Sequence, residues 1–363
     1  MIGSEGNQYS EGARKSVSAP LLARLALIPL AILTISSPGC KKEVSEANEE
    51  PDPTAAMLVE LNELKDQLTA KEISLRNWEA DLRAKEDRLD LQQSTLVGQL
   101  EVLDQQLSEA RELEAARKRG TAPSIYGKRA IVIDAKSGKV LFEKNADETC
   151  AVASTQKLMT GLLVAERGDL ETLVKVDTAD TLVEPTKLYI KAGEQISRKT
   201  LLTGLLVRSG NDLAMCLARD HSGSVEAFAK KMNEKAAALG MEKSKFFNPH
   251  GLTVSGQQST ARDMAKLAKA VYKNPVIRET IKKKTYTFVH EDGTEKPLTN
   301  TNRVLRSYEP CNGMKTGYTR ASGYCLICSG ESGPHARIVV VLGSTGTYVW
   351  KDAQALLSWS LKG

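Results

Sequence analysis

In residues 150–168, CAVASTQKLMTGLLVAERG, a serine and a lysine stand three positions apart at the head of an apolar run. Residues i and i+3 share one face of a helix, so a helix beginning at Ser154 sets the Lys157 amine beside the serine hydroxyl. A serine hydroxyl is a weak nucleophile until a neighbouring base takes its proton. Lysine is such a base only when neutral, and burial or a second nearby cation lowers its pKa toward that state. The other reading of the same residues is an N-cap serine with an exposed lysine on the first turn. Two further clusters bear on the choice. LLVRSGNDLAMCLA places Ser209, Gly210 and Asn211 between two helical stretches, and CNGMKTGYTRASGYCLICSG places Lys315, Thr316 and Gly317 ahead of a strand.

Other chemistries find less support. The four histidines, His221, His250, His290 and His335, are scattered, and no Gly-x-Ser-x-Gly elbow serves a Ser-His-Asp hydrolase. His250 sits in NPHG, which reads as a turn. No HExxH and no paired CxxC occurs, so neither a metal nor a cofactor is expected. Cys325 and Cys328 form one CxxC. Positions i and i+3 of a strand face opposite sides of a sheet, which predicts two packed thiols in place of a redox pair or zinc hook. Cys150 and Cys311 each precede a motif by four residues, and a disulfide between them is one expectation.

These residues need elements to position them. After RKRGTAPS the chain becomes globular. RAIVIDAKSGKVLFEKN alternates and breaks at Lys136-Ser137-Gly138-Lys139, the signature of a β-hairpin. Helical periods fill most of residues 154–285, strands return at GYCLICSG and RIVVVLGST, and WKDAQALLSWSLK closes the chain as an amphipathic helix. Strands at both ends with a helical middle predict an α+β fold: a mostly antiparallel sheet flanked by helices, with an inserted helical lobe.

Ahead of this lies a different pattern. Leu61, Leu68, Leu75, Leu82, Leu89, Leu96 and Leu103 recur every seventh residue, and residues 56–118 contain no proline. That is a coiled-coil ladder about 90 Å long as helix, expected to self-associate as a spacer. Its companion seam is polar at Lys65, Glu72, Glu79, Glu86 and Gln93, so a solvated single helix is the other reading. Residues 41–55 are polar, acidic and proline-bearing, the composition of a flexible linker.

The run LALIPLAILTI, preceded by Arg14, Lys15 and Arg24, is too short to span a bilayer and reads as an export signal. It leads into SSPGC, which resembles a lipoprotein cleavage site. That resemblance implies an acyl anchor on Cys40, against a plain signal peptide as the alternative. Lipidation of Cys40 leaves five cysteines, an odd number, so at least one stays free or pairs between chains.

Charge follows the same divisions. Residues 119–363 carry 36 basic and 24 acidic groups, whereas residues 56–118 carry 9 and 14. A basic C-terminal part suits an anionic partner such as an acidic wall polymer. With aromatics at 5% and no basic run interleaved with them, nucleic acid is not an expected partner.

Taken in order, Ser-x-x-Lys, Ser-x-Asn and Lys-Thr-Gly resemble the trio of penicillin-recognising serine enzymes. RAIVIDAKSGKVLFEKNADE, MNEKAAALGMEKSKFFNPHGL, STARDMAKLAKAV and NTNRVL extend the likeness over about residues 124–361. The chain resembles the D-alanyl-D-alanine carboxypeptidases, the low-molecular-mass penicillin-binding proteins. The resemblance implies a β-lactamase/transpeptidase-like fold and an acyl-enzyme formed on Ser154. Lys157 would be its base, Ser209 a proton relay, and Asn211 would orient Lys157 or the substrate. Lys315 and Thr316 would hold the substrate's terminal carboxylate, with Lys315 also helping keep Lys157 neutral. Gly317 would let substrate lie against the strand, and the Ser154 and Tyr318 amides would form the oxyanion hole. Tyr318 stands where relatives often have histidine. Peptidoglycan stem peptides are the implied substrate and β-lactams the implied covalent inhibitors. No Glu-x-x-Leu-Asn element follows Ser-x-Asn, so efficient β-lactam hydrolysis is not expected.

Relatives of this group continue into a second β-rich domain and a C-terminal anchor. Here anchoring is expected at the N-terminus, on an exported lipoprotein facing the periplasm or cell wall. The expected organisation is a signal segment at 1–40, linker at 41–55, spacer at 56–118 and catalytic domain at 124–363. The alternatives are a D,D-endopeptidase on the same scaffold and a non-catalytic wall-binding coiled-coil protein.

Overall fold

A computed structural model of the chain describes residues 53–362. The expected signal segment, Cys40 and most of the linker lie outside the described residues. The chain divides into two units, Met1–Leu91 and Gln92–Gly363. Helix α1 (Pro53–Arg119) supplies every described residue of the first unit and the first residues of the second. It begins inside the expected linker, because a proline's fixed φ suits the first turn of a helix. The ladder leucines are exposed along its whole length, from 43% at Leu82 to 66% at Leu61. In the second unit its last turns join the globular core. Ala115 is buried, the Arg119 guanidinium lies 5.9 Å from the Trp359 ring centroid, and Trp359 Nε1 donates to the Gly120 carbonyl at 3.0 Å. Among the described residues no helix is long and apolar enough to cross a membrane.

The expected hairpin forms as β1 (Arg129–Asp134) and β2 (Val140–Lys144). Its turn closes because Asp134 Oδ1 accepts from the Lys136 and Ser137 amides and Gly138 takes φ +86°. Two short hairpins follow at intervals through the lobe, β3 (Leu173–Lys175) with β4 (Gln195–Ser197) and β5 (Thr285–Val289) with β6 (Glu295–Thr299). The last strands are β7 (Cys311–Thr319), β8 (Gly323–Ser332) and β9 (His335–Ser344). The main sheet has the order β2-β1-β9-β8-β7 with every pair antiparallel, so β1 pairs with β9 from the far end of the domain. That leaves β7 as an edge strand.

Between β2 and β7 the lobe is built from α2 (Lys157–Arg167), α3 (Arg198–Arg208), α4 (Asn211–Ser222), α5 (Val225–Ala238), α6 (Ala261–Lys273) and α7 (Pro275–Ile281). Short α8 (Arg303–Ser307) precedes β7, and α9 (Tyr348–Ser360) closes the chain. The period of two along the strands separates two cores. Ile131, Ile133, Ile327 and Ile338 face the lobe, whereas Val132, Leu326, Val339 and Val341 pack with Leu356 and Leu357 of α9. Burying each such aliphatic side chain contributes about 1.5–3 kcal/mol. Cys325 belongs to the first core and Cys328 to the second, as the strand period predicts.

The same separation overturns the expected disulfide. Cys150 packs at the lobe core and Cys311 lies in the core on the α9 side; both are free thiols. The two motifs that follow these cysteines converge, but Cys311 sits farther back along β7 and faces away.

Candidate active site

A 3-10 turn (Ala153–Gln156) runs directly into α2, with Ser154 on the turn and Lys157 as the first helical residue. Ala153 is held at φ +48°, a left-handed conformation that costs a non-glycine residue about 1–3 kcal/mol and is met where surrounding structure enforces it. The apolar run behind it supplies that structure, since Leu158, Met159, Leu162 and Val164 are all buried. Lys157 is carried into the same interior and is fully buried.

Its Nζ has three neighbours: Ser154 Oγ at 2.9 Å, Asn211 Oδ1 at 2.6 Å and the His250 carbonyl oxygen at 2.7 Å. A carbonyl oxygen can only accept. A neutral amine gives its two N–H groups to Asn211 and His250, which leaves its lone pair for the Ser154 hydroxyl proton. Burial pushes the Lys157 pKa well below the ordinary lysine value, and the Lys315 charge pushes it the same way against a smaller opposing effect of Asp212. Geometry and electrostatics therefore favour the same protonation state, a neutral amine next to a serine.

Asn211 opens α4 immediately after Ser209 and Gly210. Ser209 ends α3 at φ +75°, a conformation that turns the chain sharply between the two helices. The Asn211 amide donates to the Pro185 carbonyl, which fixes its oxygen toward Lys157. Ser209 lines the same cleft as Ser154, but among the described residues no hydrogen bond joins its hydroxyl to Lys157.

The Lys-Thr-Gly segment lies on β7, whose free edge faces the 3-10 turn. Lys315 is buried, donates from Nζ to the Thr316 carbonyl at 3.1 Å, and is brought down to about 7 by burial. Thr316 Oγ1 is 2.7 Å from Thr301 Oγ1, and the Tyr318 ring is exposed and packs on Tyr324 with centroids 4.4 Å apart. At Gly317 the structure adds a reason for glycine. A Cβ there would come within 2.9 Å of the Ser154 amide nitrogen and 3.0 Å of Ala153 Cβ, so the requirement is close approach of strand to nucleophile turn as well as room for substrate. Ser154, Ser209, Thr316, Gly317 and Tyr318 line one cleft of ≈ 690 Å³.

The contribution of residues 248–251 was not visible in residue types. NPHG is a turn, as expected, with Asn248 Oδ1 accepting from the Gly251 amide at 2.8 Å. Its role at the site comes through the His250 backbone carbonyl. The imidazole itself is pulled down to about 3, by burial first and by the Lys157 charge second, and stays neutral. Gly251 takes φ +87°, and a Cβ there would lie 2.1 Å from the Ala153 carbonyl oxygen. NPHG lies far from the three motifs along the chain, and what it brings to the site is a backbone carbonyl, which residue types do not mark.

Comparison with known proteins places this geometry among relatives. The family described as D-alanyl-D-alanine carboxypeptidase matches residues 116–346. The chain is 38% identical over 237 residues to the D-alanyl-D-alanine carboxypeptidase DacF of Bacillus subtilis, covering 63% of this chain and 60% of that one. It is 34% identical to a D-alanyl-D-alanine endopeptidase of Escherichia coli, over 68% of this chain and 80% of the relative. The solved structure of the Streptomyces K15 DD-transpeptidase superposes with a TM-score of 0.63 at 28% identity, covering 66% of this chain and 99% of the other. The chain thus spans about three fifths of the length of the Bacillus relative. The match across residues 116–346 establishes that the chain belongs to the D-alanyl-D-alanine carboxypeptidase family, peptidase S11.

Proposed function

We propose that this protein is a serine-type D-Ala-D-Ala carboxypeptidase that removes the terminal D-alanine from peptidoglycan stem pentapeptides. The observation that carries this reading is Lys157 Nζ, fully buried and set between the Ser154 hydroxyl and two fixed acceptors. Lys157 takes the Ser154 proton as Oγ attacks the carbonyl carbon between the two D-alanines. The Ser154 and Tyr318 backbone amides receive the developing oxyanion, where one such donor is worth about 3 kcal/mol. Lys157 returns that proton through Ser209 to the leaving amine, D-alanine departs, and the acyl group stays on Ser154. Water then attacks the ester carbonyl, giving its proton to Lys157, which hands it to Ser154 Oγ as the ester bond breaks and the shortened stem leaves. Lys315 and Thr316 hold the terminal carboxylate, and the stem lies along the free edge of β7 as an added strand.

β-Lactams acylate Ser154 in the same geometry. The lobe, sheet and cleft form a catalytic domain over 124–363. The ladder over 56–118 is a self-associating coiled-coil spacer, a reading supported by its seven exposed leucines. The protein is exported and tethered by lipid on Cys40, facing the periplasm or cell wall; the apolar run before SSPGC supports that reading. A D,D-endopeptidase activity is the second reading, favoured by the likeness to a relative of that name.

Incubating the full chain with labelled penicillin tests the proposal, with Ser154→Ala as control. Covalent label on the unmutated chain and none on the variant is expected. An unmutated chain that takes no label and releases no D-alanine from a pentapeptide would refute it.

A further inference from the structure

Residues 182–194 form neither helix nor strand, yet two non-glycine residues among them sit at left-handed φ, Thr186 at +64° and Tyr189 at +63°. Such a backbone persists only where its surroundings enforce it. The loop also carries part of the site. Pro185 and Thr186 line the cleft beside Ser154, the Pro185 carbonyl accepts from the Asn211 side-chain amide, and the Thr186 carbonyl accepts from the Asn211 backbone amide at 2.8 Å. Asn211 in turn presents its oxygen to Lys157 at 2.6 Å. Whatever holds the loop therefore sets the acceptor on the base.

The holder is Asp212, one residue beyond the Ser-x-Asn motif and fully buried. Its Oδ2 accepts from the backbone amides of Leu188 at 2.9 Å, Tyr189 at 2.8 Å and Ile190 at 3.4 Å, and its Oδ1 from those of Leu188 at 3.1 Å and Leu213 at 3.0 Å. Three consecutive loop amides converge on one carboxylate. That arrangement needs an acceptor-only group, since an asparagine would turn its NH2 against one set of N–H donors. The packing is close enough to fix the motif's middle residue: a Cβ at Gly210 would lie 2.8 Å from Asp212 Oδ1 and 2.8 Å from Leu188 Cδ1. Asp212 has a second effect through its charge. The charges that act on Lys157 are those of Lys315 from β7 and Asp212 from α4, while the nearby His250 imidazole is neutral. Lys315 pushes the lysine toward its neutral form and Asp212 toward its charged form, which keeps the amine basic enough to take a proton.

We propose that Asp212 is a positioning residue for the reaction: its carboxylate clamps the loop over residues 185–190, and the clamped loop holds the Asn211 oxygen on Lys157 and the cleft wall beside Ser154. The link runs through the Pro185 and Thr186 carbonyls. Asp212 is buried outside the cleft lining, so it acts through Asn211 and through its field at Lys157. The inference rests on the acyl-enzyme reading above and adds to it a residue outside the three motifs.

The test measures the second-order rate of acylation by labelled penicillin across pH for the full chain, Asp212→Asn and Asp212→Glu, with circular dichroism to report folding. In Asp212→Asn the maximal rate is expected to fall about tenfold, because the Asn211 oxygen loses its fixed orientation. Its acid limb should also move to lower pH, because the charge that favoured the ammonium form of Lys157 is gone. Loosened packing alone would hydrate Lys157 and move the limb the other way. Asp212→Glu keeps the charge, so its limb should stay in place while the longer side chain displaces the loop and slows acylation about threefold. A folded Asp212→Asn whose rate stays within about twofold of the unmutated chain, or whose limb stays or moves to higher pH, would overturn the inference. If Asp212→Asn does not fold, Asp212→Glu decides: an unmutated rate would overturn the role, and a slowed rate with the limb in place would support it. In each of those outcomes the unmutated chain labels and the acyl-enzyme reading stands. An unmutated chain that takes no label would remove that reading and the inference together.

Discussion

Helices α1 and α2 both carry leucines at helical spacing, and the structure treats them in opposite ways. In α1 the ladder leucines are 43–66% exposed, whereas Leu158, Leu162 and Leu163 of α2 are all buried. The burial around α2 has a chemical consequence: it removes Lys157 from water, which makes a lysine able to accept a proton. The leucines of α1 have no such consequence within one chain. An exposed apolar seam acts only through what joins it, so in the proposed spacer reading its contribution is to assembly, as that of α2 is to the proposed acyl transfer.

The largest effects are expected at the buried end. Lys157→Ala removes the base while leaving Ser154 in place, and acylation by labelled penicillin is expected to slow about 10³-fold. A variant that retained most of the unmutated rate would show that another group takes the serine proton. Next in size is Gly251→Ala, because the added Cβ would sit 2.1 Å from the Ala153 carbonyl oxygen and displace the loop bearing the His250 carbonyl. Acylation should fall about 100-fold, and denaturant titration should show a loss of about 2 kcal/mol. An unaffected variant would mean that the loop does not need to approach the nucleophile turn so closely.

A pH profile probes the buried lysines without mutation. Lys157 must be neutral, so kcat/KM rises as pH climbs through its lowered pKa. Lys315 must be charged to hold a carboxylate, so activity declines as pH passes its own value of about 7 in the free enzyme. A bell-shaped profile is expected; activity that kept rising toward pH 10 would place the essential base at an ordinary lysine. The smallest effect on chemistry is expected at the exposed end. Leu75→Ser/Leu82→Ser should lower the mass measured by sedimentation equilibrium while leaving acylation within about twofold, since exposed substitutions change stability by about 0.5 kcal/mol or less. Unchanged mass would remove the seam's role in assembly.

Much of this was legible in residue order. The hairpin around Gly138 and the strands meeting from both ends of the domain follow from periodicity, and the convergence of Ser154, Lys157, Asn211 and Lys315 follows from the family resemblance that their ordered motifs carry. What was not legible has physical causes. Strands β3 and β4 have three residues each with one buried position, too short for alternation to register. The His250 carbonyl is a backbone group, which every residue possesses, so no residue type announces it. Cys150 and Cys311 were paired by the convergence of their motifs, but the side of the sheet each one faces decides the matter, and that needs the register.

In the proposed chemistry a buried lysine rests neutral beside Ser154. The direct test is an NMR titration of the full chain carrying 13Cε-labelled lysine, with the Lys157 resonance assigned by its loss in Lys157→Ala. The expected midpoint lies well below about 10.4, the value of an unperturbed lysine. A midpoint at that ordinary value would contradict it.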